Sequence, residues 1–198
     1  MTIAPFVQGT ETYRRWLKKT VLYTVTMTAA AAGTGVAIAA AGAGVSALWS
    51  GMTLPLAVAL GAVALLYGLH ELGFVRVPVP GRDWIVPAEW VRHRYYRSGV
   101  VWGVLVGAGV FTRVPFAALP VLAAWLFIAG DVGYGVLAGA IYGLTRAASI
   151  YSAASSHDTE ELVGLMQHVM RLTAPAHQAT GLMLATFGAY LLTAPYIS

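Results

Sequence analysis

Five apolar runs constrain what this chain can fold into. They cover roughly 21–49, 54–75, 99–129, 132–153 and 176–197. About 20 residues in a helix cross the hydrocarbon of a bilayer. Apolar runs of that length satisfy their backbone groups without water only as helices packed on one another. Charged residues make up 10% of the 198 and apolar residues 58%, whereas a soluble domain carries about 25% charge. So little charge cannot cover a water-facing surface. The pattern predicts an all-α, polytopic membrane helix bundle of about five transmembrane helices. One integral membrane domain is expected over residues 1–198.

The first run follows Arg14, Arg15, Lys18 and Lys19, an arrangement shared with signal peptides. At 29 residues it is about twice the length of a signal-peptide core, so an uncleaved first helix is the expectation. Arg76, Arg82, Arg92, Arg94 and Arg97 lie between the second and third runs, and Arg171 precedes the fifth. The opposite loops, 50–53 and 130–131, contain neither Lys nor Arg. The positive-inside rule then places the N-terminus in the cytoplasm and the C-terminus outside a cell membrane. These basic loops account for the net charge of +4 without a nucleic-acid partner. The absence of cysteine excludes disulfides, thiolate metal sites and dithiol chemistry.

The third run is too long for an ordinary span. Its 31 residues would extend about 46 Å as one helix, and Pro115 and Pro120 each remove a backbone donor. A break between Thr112 and Pro120 is expected. Two further segments read as interfacial. Residues 87–97, PAEWVRHRYYR, mix aromatic rings with arginines. Residues 158–172 open with Asp158 and Glu161 as a capping pair and continue with apolar residues at helical spacing. An echo at a spacing of 120 residues sets Gly61, Gly68 and Leu72 opposite Gly181, Gly188 and Leu192, which suggests an internal repeat.

Few polar groups fall inside the runs. Arg113 lies about 21 Å from the cytoplasmic end of its run, at a depth where an arginine must be paired or wet. It is either a structural donor to carbonyls freed by Pro115 and Pro120, or part of an anion site. Glu71 and Arg146 stand near the cytoplasmic ends of their runs, where they either form an inner-leaflet ion pair or reach separately to the headgroups. His70 and His177 share that level and leave haem b as a candidate cofactor, although two histidines make a thin ligand set. No other metal site is expected. Asp131 reads as a helix N-cap. No phosphate loop, nucleophile elbow or paired-carboxylate motif is present, so no enzymatic activity is expected.

The runs VALGAVALLYGLHELGFVRVPVP, FTRVPFAALPVLAAWLFIAGDVGYGVLAGAIYGL and TGLMLATFGAYLL resemble the transmembrane region of the CcdA/DsbD family of cytochrome c biogenesis and thiol-reductant transporters. The resemblance covers most of residues 53–192 and implies two three-helix repeats, each with a Pro–Cys…Pro break in its first helix. Phe116 stands about where the fourth-helix cysteine would follow a proline, and the helix bearing the partner cysteine is missing. Without either thiolate the family's electron relay cannot operate. What remains is an expectation of a non-catalytic accessory or scaffolding subunit among other membrane proteins. The alternatives are a small-solute or anion transporter using Arg113, Pro115, Phe116 and Pro120, and a haem-binding subunit using His70 and His177.

Overall fold

Glycines spaced by four or by seven residues bring helices together within each part of this chain. A computed structural model describes residues 13–48, 51, 53–78, 95–109, 116–154 and 159–194. These form six helices: α1 (Tyr13–Leu48), α2 (Thr53–Glu71), α3 (Tyr95–Gly107), α4 (Ala118–Ala129), α5 (Val132–Ala154) and α6 (Thr159–Thr193). No strand occurs among the described residues. The chain divides into two compact units. One comprises Met1–Thr34, Arg82–Arg113 and Val136–His168, and the other Gly35–Gly81, Val114–Gly135 and Val169–Ser198.

In the first unit, α1 packs against α3 and α5. Gly99, Gly103 and Gly107 of α3 follow Lys19, Tyr23 and Met27 of α1, both series rising by four, so these helices run parallel. A methyl group at Gly103 would lie 2.8 Å from the Tyr23 carbonyl oxygen. Gly143 and Gly139 of α5 approach Thr28 and Ala31 of α1 in descending order, so that pair is antiparallel. Small residues allow backbones to meet this closely. Tyr23, Met27, Val106 and Ala147 form the buried centre, with Trp102 and Ile150 packed on it.

Helix α1 is rich in Thr, a poor helix former in water because its hydroxyl competes for backbone groups. Here four of the five threonine hydroxyls are satisfied within the helix, whereas that of Thr28 is buried without a partner. Thr20, Thr24, Thr26 and Thr34 donate to the carbonyls of Trp16, Thr20, Leu22 and Ala30 at 2.8–3.1 Å. Such a helix presents little unmet polarity to an apolar environment.

In the second unit, α2 and α6 run antiparallel. A methyl group at Gly188 would lie 2.6 Å from the Gly61 carbonyl oxygen, and one at Gly68 2.9 Å from the Gly181 carbonyl oxygen. The glycines of the 120-residue echo thus meet crosswise in one antiparallel helix pair, Gly61 against Gly188 and Gly68 against Gly181. Leu60, Ala64, Ala117, Val121 and Leu184 form the core of this unit, with Tyr67, Trp125 and Phe187 against it.

The helix limits differ from the apolar runs in four places, the first being α2, which ends at Glu71 rather than 75. Helix α1 begins at Tyr13 because its basic first turns are helical although not apolar. The third run separates into α3, which ends at Gly107, and α4, which begins at Ala118. Pro120 is therefore not a breaker, since it occupies the first turn of α4, where proline removes no needed donor. The segment 158–172 and the fifth run form one helix, because α6 continues through Pro175. Arg113, Pro115, Asp158 and most of the segment 87–97 lie outside the described residues. Asp131 caps α5, with Oδ1 accepting the Tyr134 N–H at 3.1 Å.

Among the described residues two helices, over Arg15–Leu48 and Leu54–Glu71, are long and apolar enough to cross a membrane, and Ala118–Ala129 is a shorter apolar helix. Helix α5 is long enough, but Thr145, Arg146 and Ser149 dilute its apolar character.

Candidate functional site

The buried carboxylate of Glu71 organises the second unit. Helix α2 ends in a glycine-terminated turn. The Gly73 N–H donates to the His70 carbonyl and the Phe74 N–H to the Leu69 carbonyl, at 3.0 and 2.9 Å. Gly73 takes φ +84°, which only glycine adopts without strain. This stop leaves Glu71 in the last turn of α2, where its charge opposes the helix dipole. The unfavourable placement is offset by what the carboxylate meets.

One oxygen of Glu71, Oε1, accepts the backbone N–H of Ala117 at 2.7 Å, across 46 residues. Ala117 is the N-cap of α4 and has no side-chain oxygen to cap with. Glu71 therefore supplies from another helix the anionic acceptor that a helix start favours. The other oxygen, Oε2, accepts from Nδ1 of His177 on α6. The Glu71 side chain is 2% exposed and that of His177 33%. The carboxylate is thus enclosed while the imidazole reaches the surface of the unit. Phe116 lies against His177 with ring centroids 4.7 Å apart and planes inclined by 38°.

His70, next to Glu71, does different work. Its Nδ1 lies 3.1 Å from the Val77 backbone nitrogen and 3.2 Å from the Val75 carbonyl oxygen, both in the segment that follows α2. The Tyr67 hydroxyl donates to the Pro78 carbonyl at 3.2 Å. Both side chains tie the segment after α2 back onto that helix. The two histidines that suggested a haem are each engaged through Nδ1, with unlike partners. No group of three or more His, Asp or Glu side chains able to hold a metal occurs among the described residues.

Arg146, expected opposite Glu71, lies on α5 in the other unit. Its guanidinium donates to the Tyr142 hydroxyl one turn earlier and stands 5.7 Å from that ring's centroid. Sequence reasoning found Glu71, His177 and Phe116 singly but did not join them. The available signal was Glu71 itself: a carboxylate closing an apolar helix needs a partner, and His177 lies at the start of the glycine-matched apolar run 176–197. The glycine runs 99, 103, 107 and 135, 139, 143 were also readable and went unread.

No family model matches the chain, and no solved structure matches it. The chain is similar to curated proteins named methylamine utilization protein MauF. With that of Methylorubrum extorquens it is 27% identical over 147 residues, 73% of this chain and 50% of that protein. With that of Paracoccus versutus it is 34% identical over 89 residues, 44% of this chain and 32% of that protein. With that of Paracoccus denitrificans it is 30% identical over 100 residues, 50% and 36% of the two chains. The chain spans half or less of the length of these relatives.

These relatives overturn the resemblance to the CcdA/DsbD family, which rested on glycine and apolar patterning. Such patterning arises wherever helices pack closely, and here it is the α2–α6 contact itself. The functional readings fall as well, since the relatives are named for methylamine utilization: the accessory or scaffolding subunit, with its alternatives of a transporter at Arg113 and a haem-binding subunit. The similarity points instead to proteins of methylamine utilization.

Proposed function

We propose that this chain serves methylamine utilization, acting from within a membrane beside other proteins of that process. The observation that carries this reading is the 147-residue similarity to the Methylorubrum extorquens protein, whose name states that role. Deleting the chain from its source organism tests it. Growth on methylamine as sole nitrogen or carbon source is expected to fail while growth on ammonium and a sugar continues. Restoration by the wild-type chain completes the test, and undiminished growth of the deletion strain on methylamine refutes the reading.

The membrane part of the proposal is supported by the two long apolar helices. Exposed apolar side chains on α5, Leu137, Ile141 and Leu144, recur at helical spacing and suit lipid tails. The hydroxyls of Thr20, Thr24, Thr26 and Thr34, satisfied within α1, suit the same medium. The five-span topology with a cytoplasmic N-terminus belongs to this proposal. Reporter fusions at Ser50 and Ser198 are expected to report the outer side and a fusion at Asp83 the cytoplasm. An outer-side signal at Asp83 overturns that orientation.

A further inference from the structure

One atom of the Glu71–His177 pair has no task within the fold. Both carboxylate oxygens hold donors, Ala117 N–H on one and His177 Nδ1 on the other. Among the described residues nothing hydrogen-bonds His177 Nε2, on a ring that is one-third exposed. An ionised carboxylate only accepts, so the proton of the neutral ring sits on Nδ1 and the lone pair is left on Nε2. A histidine oriented in this way by a buried acid presents a fixed, basic acceptor.

The surroundings select what that acceptor can take. The Glu71 charge stands directly behind the ring and disfavours an anion at Nε2. The Phe116 ring, 4.7 Å from the imidazole, offers a π face of the kind that attracts cations. A cation with N–H donors can use all three features, whereas a metal ion would need further ligands that no described residue supplies.

We propose that His177 Nε2 is the acceptor of a binding site for a small primary ammonium ion. Glu71 is the positioning residue that fixes the ring's tautomer and supplies the negative charge, and Phe116 is an aromatic wall. The choice of ligand rests on the methylamine reading above, while the free acceptor is a property of the geometry.

The test uses the full chain in detergent micelles with ¹⁵N-labelled histidine, above the ordinary histidine titration range and below that of amines. The His177 resonances, assigned by their loss in His177→Gln, are expected to show a protonated Nδ1 and a bare Nε2. Methylammonium chloride is expected to shift the Nε2 resonance saturably. Sodium chloride and tetramethylammonium chloride, which lack N–H donors, are expected not to. Glu71→Gln keeps an acceptor for Ala117, so it preserves the fold while weakening methylammonium binding about tenfold or more, as expected for a charge-assisted contact. Phe116→Leu is expected to weaken it less. A proton found on Nε2, a shift produced equally by sodium chloride, or no shift with methylammonium overturns the site. An unmoved Nε2 in a protein whose deletion abolishes growth on methylamine removes this site and leaves the functional reading. A saturable shift in a protein whose deletion leaves growth intact does the reverse.

Discussion

Gly188→Leu is expected to force α2 and α6 apart and to destabilise the second unit strongly. A methyl group at this position already lies 2.6 Å from the Gly61 carbonyl oxygen and 2.7 Å from the Leu65 backbone nitrogen. Neither is a flexible side-chain end that can swing aside. Helix α2 and helix α6 must separate, and the core around Leu60, Ala64 and Leu184 opens with them. Overpacking typically costs about 1–3 kcal/mol, and a clash against backbone belongs at or above the top of that range. A loss of about 3 kcal/mol corresponds to a fall in Tm of about 6–12 °C for a chain of this size. Gly33→Ala is the control of opposite sign. Nothing lies within 4 Å of a methyl group there, and alanine in a helix interior is favoured over glycine by about 0.5–1 kcal/mol. Thermal unfolding of the three proteins in one detergent reads both effects. Equal Tm values for Gly188→Leu and wild type contradict the close α2–α6 contact.

Replacing Glu71 by Leu is expected to be nearly as costly. The substitution leaves the buried Ala117 N–H without an acceptor, which costs about 1–3 kcal/mol. It also removes the anionic cap of α4 and the anchor of His177, so a total of about 2–4 kcal/mol is expected. Glu71→Gln keeps one acceptor oxygen and is expected to cost about 1 kcal/mol, the worth of an ordinary hydrogen bond. Combining Glu71→Leu with His177→Gln gives a coupling energy that measures the pair directly, with about 0.5–3 kcal/mol expected for residues in contact. Strict additivity of the two changes means that the carboxylate serves α4 alone.

The all-helical character was legible because apolar runs longer than about 18 residues leave the backbone few choices. The second helix stops at Glu71, four residues short of its apolar run, because Gly73 turns the chain. The helical character of Tyr13–Thr20 was not legible, because apolar runs do not register basic turns. The effect of a proline depends on its place in the helix. Pro120 sits in a first turn, where it is harmless, and Pro175 lies in a helix that continues past it. The glycine echo was seen, but a repeat and a facing pair leave the same trace in one sequence. The candidate site was legible only as separate residues. Glu71, Ala117 and His177 are up to 106 positions apart, and nothing local in a sequence reports a hydrogen bond across that distance.

That separation bears on how the chain is made. Synthesis proceeds at about 5–20 residues per second, so roughly 5–20 s pass between the emergence of Glu71 and that of His177. During that interval the carboxylate lacks its imidazole, and the glycine groove of α2 has no helix to fill it. The N-terminal part of the second unit must be sheltered, by lipid, by an insertion factor or by a temporary partner, until α6 arrives. A ribosome stalled before residue 177 holds a half-assembled unit whose exposed acid and open groove mark it for quality control.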